Sequence, residues 1–124
     1  MANFNITYLD TLPTLSVTLT DSAGTALTLA AASNVKLHML RYASGTGETV
    51  SGQTVVTKTM TIASPATSGV VTYTFQIADY GSTAGTVQAG YYYIEFEINY
   101  ASGARLTVPT PETRYSMFVR DDLD

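Results

Sequence analysis

Apolar and polar residues alternate with a period of two along almost the whole chain, the pattern of strands that bury one face and offer the other to solvent. After Pro13, Leu15, Val17 and Leu19 alternate with Thr14, Ser16, Thr18 and Thr20. Val35, Leu37 and Met39 alternate with Lys36, His38 and Leu40. Residues 54–62 place Val56, Met60 and Ile62 on one side, with Lys58 interrupting them, which predicts an edge strand guarded by a charge. Val71, Tyr73, Phe75 and Ile77 are expected to point inward from the next strand. Tyr92, Ile94, Phe96 and Ile98 form a core face, with Tyr91, Tyr93, Glu95 and Glu97 opposite. Residues 105–108 and 114–120 supply the last extended segments, the latter with Tyr115, Met117 and Val119 on one side. Turn chemistry separates these runs: Asp21 to Gly24, Ser64 to Gly69, and Tyr100 to Gly103, with two Gly-rich loops at residues 43–53 and 79–90.

No stretch has helical periodicity, so the pattern predicts an all-β sandwich of about seven or eight strands. It divides into an extended N-terminal segment, residues 1–12, a sandwich over residues 13–120, and an acidic tail, residues 121–124. At 124 residues there is length for one core and no second domain.

Composition sharpens this picture. Charged residues make up only 13% of the chain, and Thr and Ser take their place. Hydroxyls are cheaper to bury than ions, which suits faces that pack against neighbours. The net charge of −4 with six Lys and Arg excludes the basic patch that nucleic acid requires. No cysteine is present, so the core must hold without a disulfide and no thiolate metal site exists. Residues 1–4 carry no basic segment or apolar run, and no stretch of about 18 apolar residues occurs, so neither export by a signal peptide nor a membrane span is expected.

Gly90, Tyr92 and Ile94, following Asp79, match the strand-E to strand-F corner of an immunoglobulin-like antiparallel β-sandwich, with Ile94 where the second cysteine would stand. More broadly, residues 12–21 with Gly24, residues 69–73 leading to Asp79, residues 89–96, and residues 103–109 leading to Arg120–Leu123 resemble the N-terminal immunoglobulin-like domain of phage baseplate upper proteins and related virion proteins. That resemblance implies a non-enzymatic virion structural protein, a tail or baseplate component assembling with other virion proteins in repeated copies. Alternatives are a capsid decoration protein of the same fold and a carbohydrate-binding module.

Little chemistry competes with this. His38 is the only histidine and has no nucleophile motif beside it, so neither hydrolytic catalysis nor zinc is expected, and no cofactor is implied. Glu95 and Glu97 lie at a spacing that overlaps the carboxylate separation of inverting glycosidases, but on an open strand face they read as solvated. Asp121, Asp122 and Asp124 lack a Gly-containing calcium loop. The candidate partner contacts are therefore the outward stripe of Tyr91, Tyr93, Glu95 and Glu97, where paired aromatics can anchor a protein or stack on a glycan, and the N-terminal Phe4, Ile6 and Tyr8, read as an arm reaching an adjacent subunit. Removing residues 1–9 is expected on that reading to reduce assembly and leave the sandwich folded.

Overall fold

The computed structural model describes residues 3–21, 23–42, 55–83, 85–108 and 115–121. Among these run nine strands: β1 Asn3–Thr7, β2 Leu15–Thr18, β3 Ala32–Tyr42, β4 Val56–Thr59, β5 Thr61–Ile62, β6 Val70–Tyr73, β7 Gly90–Tyr100, β8 Arg105–Val108 and β9 Tyr115–Arg120. The loop at residues 43–53, Pro109, Pro111 and tail residues 122–124 lie outside the described residues.

The larger sheet runs β1-β9-β7-β3-β4, with β8 also on β7, and the smaller runs β2-β6-β5. β9 pairs with the first half of β7 and β8 with the second, so both occupy the edge of β7 away from β3. The chain crosses between sheets on leaving β1, β2, β4 and β6, giving the alternating strand membership of an immunoglobulin-like sandwich. One pairing departs from the expected antiparallel order: β1 runs parallel to β9, from Asn3 opposite Ser116 to Thr7 opposite Arg120.

β3 and β7 form the spine. Val35 faces Ile98, Leu37 faces Phe96 and Met39 faces Ile94, and all six side chains are buried. Leu15, Leu19, Val71 and Phe75 close the core from the smaller sheet's side of the molecule. The period of two decides this arrangement, because each inward residue leaves its neighbours on the outer face.

Tyr92 forms the corner that its spacing predicts. Its buried hydroxyl oxygen accepts a hydrogen bond from the backbone N–H of Gln88 at 2.7 Å, tying the start of β7 to the preceding loop. Arg41 braces the same loop, donating to the Ala89 carbonyl at 2.8 Å and to Gln88 Oε1 at 3.0 Å. Gly90 has φ of +139° and lies so close to Arg41 that an added Cβ would sit 2.8 Å from its Nε. Tyr92→Phe, which leaves the Gln88 N–H without its acceptor, should cost about 1 kcal/mol in denaturant unfolding without altering the fold.

Four expectations are corrected. Residues 54–62 do not form one strand: β4 pairs with β3 and β5 with β6, and the chain changes sheets at the buried Met60. Lys58 is not a free guarding charge, since its Nζ lies 2.9 Å from the carboxylate of Asp79. Ile77 does not point inward but is 67% exposed, because β6 ends at Tyr73 and Ile77 opens a single-turn 3-10 helix, Ile77–Asp79. The N-terminal segment is part of the sandwich: Ile6 is 3% exposed, Phe4 stacks on Phe75 and Tyr8 packs edge-on against Tyr80.

The loop between Asp79 and Gly90 is likewise more than a surface connection, since Tyr80 and Val87 are buried core residues. Tyr80 donates its hydroxyl proton to the Asp10 carbonyl at 2.6 Å, fastening the chain after β1 to this loop. Asp79 is the buried charged residue among those described. It accepts from the Tyr73 hydroxyl at 2.6 Å and the Gln76 N–H at 2.9 Å, besides pairing with Lys58. Burial alone would raise its pKa, but the Gln76 N–H, the Tyr73 hydroxyl and the Lys58 ammonium together hold it below the ordinary carboxylate range. The same surroundings, burial first and then the Asp79 carboxylate, push the Tyr73 hydroxyl far up, so it remains a donor.

Candidate functional site

The core register of β3 and β7 dictates what lies opposite on the outer face of the larger sheet. Tyr42 stands across from Tyr91, Leu40 from Tyr93, His38 from Glu95 and Lys36 from Glu97. β9 extends this face, placing Phe118 opposite Tyr91 on the other side. The outward stripe predicted on β7 therefore continues sideways onto two neighbouring strands.

At one end the rings form a ladder. Tyr42 and Tyr93 stack with centroids 4.1 Å apart and planes 15° apart. Tyr91 and Phe118 stack at 4.6 Å and 29°, and Tyr42 joins the two pairs through a tilted contact with Tyr91 at 5.7 Å. Tyr91 is exposed, and Tyr42, Tyr93 and Phe118 are half-buried. Partial burial, followed by the neighbouring Tyr93 and Tyr91, raises the Tyr42 pKa, so its hydroxyl stays neutral and able to donate.

At the other end lies a polar network. His38 Nδ1 is 2.9 Å from Thr57 Oγ1 on β4, and its Nε2 lies 3.6 Å from Glu97. Arg105 on β8 approaches the same Glu97 oxygen at 3.7 Å, while Asn99 donates to the other oxygen at 3.1 Å and to Asn34 at 2.9 Å. The Asn99 hydrogen bond above all, with His38 and Arg105, lowers the Glu97 pKa against the opposing effect of burial. Lys36 reaches Thr59 Oγ1 at 3.3 Å. These exposed and half-buried pairs are each worth little to stability, and their effect is to fix which polar groups the face presents.

The structure thus brings Tyr91, Tyr93, Glu95 and Glu97 onto one surface, as the alternation predicts. Glu97 differs from expectation in being tied by Asn99, His38 and Arg105 rather than freely solvated, which leaves Glu95 as the exposed carboxylate. His38 is half-buried within that network. Phe4, Ile6 and Tyr8 are not brought to this surface: they are engaged with Phe75, the core and Tyr80, and so are not free to reach a neighbour. Tyr42 and Phe118 join this surface although the pattern on their own strands does not single them out as contacts. Each sits at an outward position of its own strand, and their alternation marks that, but only the cross-strand register shows that they meet Tyr91. Among the described residues no group of three or more His, Asp or Glu side chains is placed to hold a metal ion, and no helix is long and apolar enough to cross a membrane.

No family model matches the sequence, and no curated protein matches it. Among solved structures, CopC from Methylosinus trichosporium OB3b is similar over 100% of this chain and 89% of its own length, at 12% identity and a TM-score of 0.43. A likeness of that degree carries no argument about this chain.

Proposed function

We propose that this chain is a non-enzymatic assembly protein that docks to other proteins through the outer face of its larger sheet, as a virion structural component of a phage tail or baseplate. The observation that carries the docking reading is the ring ladder of Phe118, Tyr91, Tyr42 and Tyr93, held rigid by stacking at the end of an ordered polar face. Pre-stacked aromatics lose little side-chain freedom on binding and bury much apolar area, the combination found in interface anchors. The virion assignment draws its support from the sequence resemblance alone, since the Tyr92 corner belongs to the sandwich fold and to no one role. A glycan reading is less favoured, because sugars stack on open ring faces and here the Tyr42 and Tyr93 faces are turned to each other.

Replacing Tyr91 and Tyr93 together by Ser should reduce incorporation of the protein into particles by about tenfold, the loss expected from removing about 1.4 kcal/mol of anchor energy. Quantitative immunoblotting of purified particles reads this, with thermal melting as the control for folding. Undiminished incorporation of a folded double variant would discard the aromatic face as the docking surface.

A further inference from the structure

The smaller sheet ends in a strand whose outer edge is unpaired among the described residues. β2 pairs only with β6, in a register that sets Leu15 opposite Tyr73 and Thr18 opposite Val70. The Leu19 N–H donates to the Gly69 carbonyl in that same register. Backbone groups of an antiparallel strand point alternately to its two sides, so Leu15 and Val17 bond toward β6. The N–H and C=O of Ser16 and Thr18 are thereby directed at the open edge. Beside this edge runs a groove lined by Phe4, Leu15, Val17, Ile94 and Tyr115 and by three Ser and Thr side chains, with no charged residue among them.

Natural edges are guarded by Lys, Pro within the strand, bulges or inward-pointing charges. β8 begins at Arg105 and β5 has only two residues, whereas Lys58 on β4 is engaged by Asp79 and the outer edge of β1 carries no guard. β2 has no such device. What it has instead is a sequence that reads nearly the same in both directions: Thr14-Leu15-Ser16-Val17-Thr18-Leu19-Thr20 is symmetric about Val17, with Thr matching Thr, Leu matching Leu and Ser matching Thr.

We propose that the β2 edge pairs antiparallel with the β2 edge of a second copy of this chain, about a two-fold axis through Val17. In that register Ser16 of one copy exchanges both backbone hydrogen bonds with Thr18 of the other, and the symmetric pair repeats them. Val17 meets Val17 at a position where side chains approach most closely, and the Ser and Thr hydroxyls pair on the outer surface, both favourable cross-strand combinations. Such an isologous contact needs no partner other than the chain itself, and a neutral edge facing a neutral edge has no repulsion to overcome. The two smaller sheets join into one continuous sheet, leaving both aromatic faces available on the larger sheets. The contact is short and therefore weak, and it gains occupancy where an assembly holds copies close together.

Because the chain has no cysteine, a single introduced thiol reports the geometry without competition. Val17→Cys places two thiols directly across the axis at a Cα separation a disulfide can bridge, so under mild oxidation it should form a covalent pair roughly tenfold faster than Asn5→Cys, an exposed position on β1. Val17 is half-buried, so an equimolar mixture of the exposed variants Ser16→Cys and Thr18→Cys gives a second readout that leaves the core intact, with the mixed pair expected to exceed each self-pair by well over the roughly twofold that random pairing gives. The Tyr91→Ser and Tyr93→Ser changes lie on the other sheet and should leave trapping unaltered, so failure of the docking face and failure of the edge are separable. Trapping of Val17→Cys no faster than Asn5→Cys, or a mixture in which mixed pairs do not exceed the random twofold ratio, overturns the proposal. So does cross-linking of the Val17→Cys thiol in particles to a different polypeptide with no self-pair, which would make β2 an acceptor for a foreign strand.

Discussion

Deleting residues 1–9 is expected to unfold the domain rather than to free it from its neighbours. The segment contributes β1, all five of whose residues pair with β9, and without it β9 becomes an edge of the larger sheet. Ile6 is buried, and full burial of such a side chain is worth about 1.5–3 kcal/mol. Phe4 and Tyr8 add ring contacts to Phe75 and Tyr80, and loss of the segment strips one side from the aromatic cluster at the end of the core. The sum, about 5 kcal/mol, is comparable with the whole stability of a small domain, about 5–15 kcal/mol. The truncated protein should therefore show a lowered or absent cooperative melting transition. A truncated chain that melts within a few degrees of the full one would show that β1 is dispensable and restore it as a candidate arm.

Asp79→Ala should carry the second large penalty, about 2–3 kcal/mol, because it removes a buried acceptor shared by Tyr73, Gln76 and Lys58. Lys58 retains some solvent contact, which keeps the figure below that of a fully buried pair whose partner is deleted. The network joins β4 of the larger sheet to β6 of the smaller, so its loss loosens the join between the two layers. It also gives stability a defined pH dependence. Asp79 has a folded pKa below its ordinary value of 3.8, so the folded state holds fewer protons than the unfolded state in that range. The stabilisation is fully present above the ordinary value and is lost as pH falls through the folded pKa. As pH falls below the ordinary value, the melting temperature of the wild type should fall more steeply than that of Asp79→Asn, which keeps an acceptor but cannot be protonated. Parallel curves would remove Asp79 from the acid response.

The contrast between these residues and the rest marks what the sequence makes legible. Val35, Leu37, Met39, Ile94, Phe96 and Ile98 declare themselves as core because a strand face repeats every second residue, a local property. Tyr92 is legible as a corner residue through its spacing of two from Gly90 and from Ile94, with Asp79 standing ahead of the loop. Sheet membership is not local. Val56, Met60 and Ile62 keep one alternation through a change of sheet, since a residue facing the core does so equally from either layer. Phe4, Ile6 and Tyr8 carry the pattern of a strand but no mark of which strand they join, and the partner, β9, lies more than 100 residues away. Ile77 continues an apolar alternation past the point where the Gln76 and Asp79 caps turn the backbone, so capping overrides the period. At the candidate site, Tyr91 and Tyr93 are visible on their own strand, whereas Tyr42 and Phe118 join them only through register across β3 and β9.

On the proposed reading, the ring ladder, the ordered polar face and the neutral edge of β2 are the surfaces through which the molecule packs among copies of itself and other proteins. The most direct test of the virion role is gold labelling of intact phage particles with an antibody against this chain, viewed by electron microscopy. Label confined to the tail or its tip is the expected result, and label over the shell would move the protein to a capsid decoration role. Absence of label from every particle, with the epitope shown to be accessible, would contradict the account.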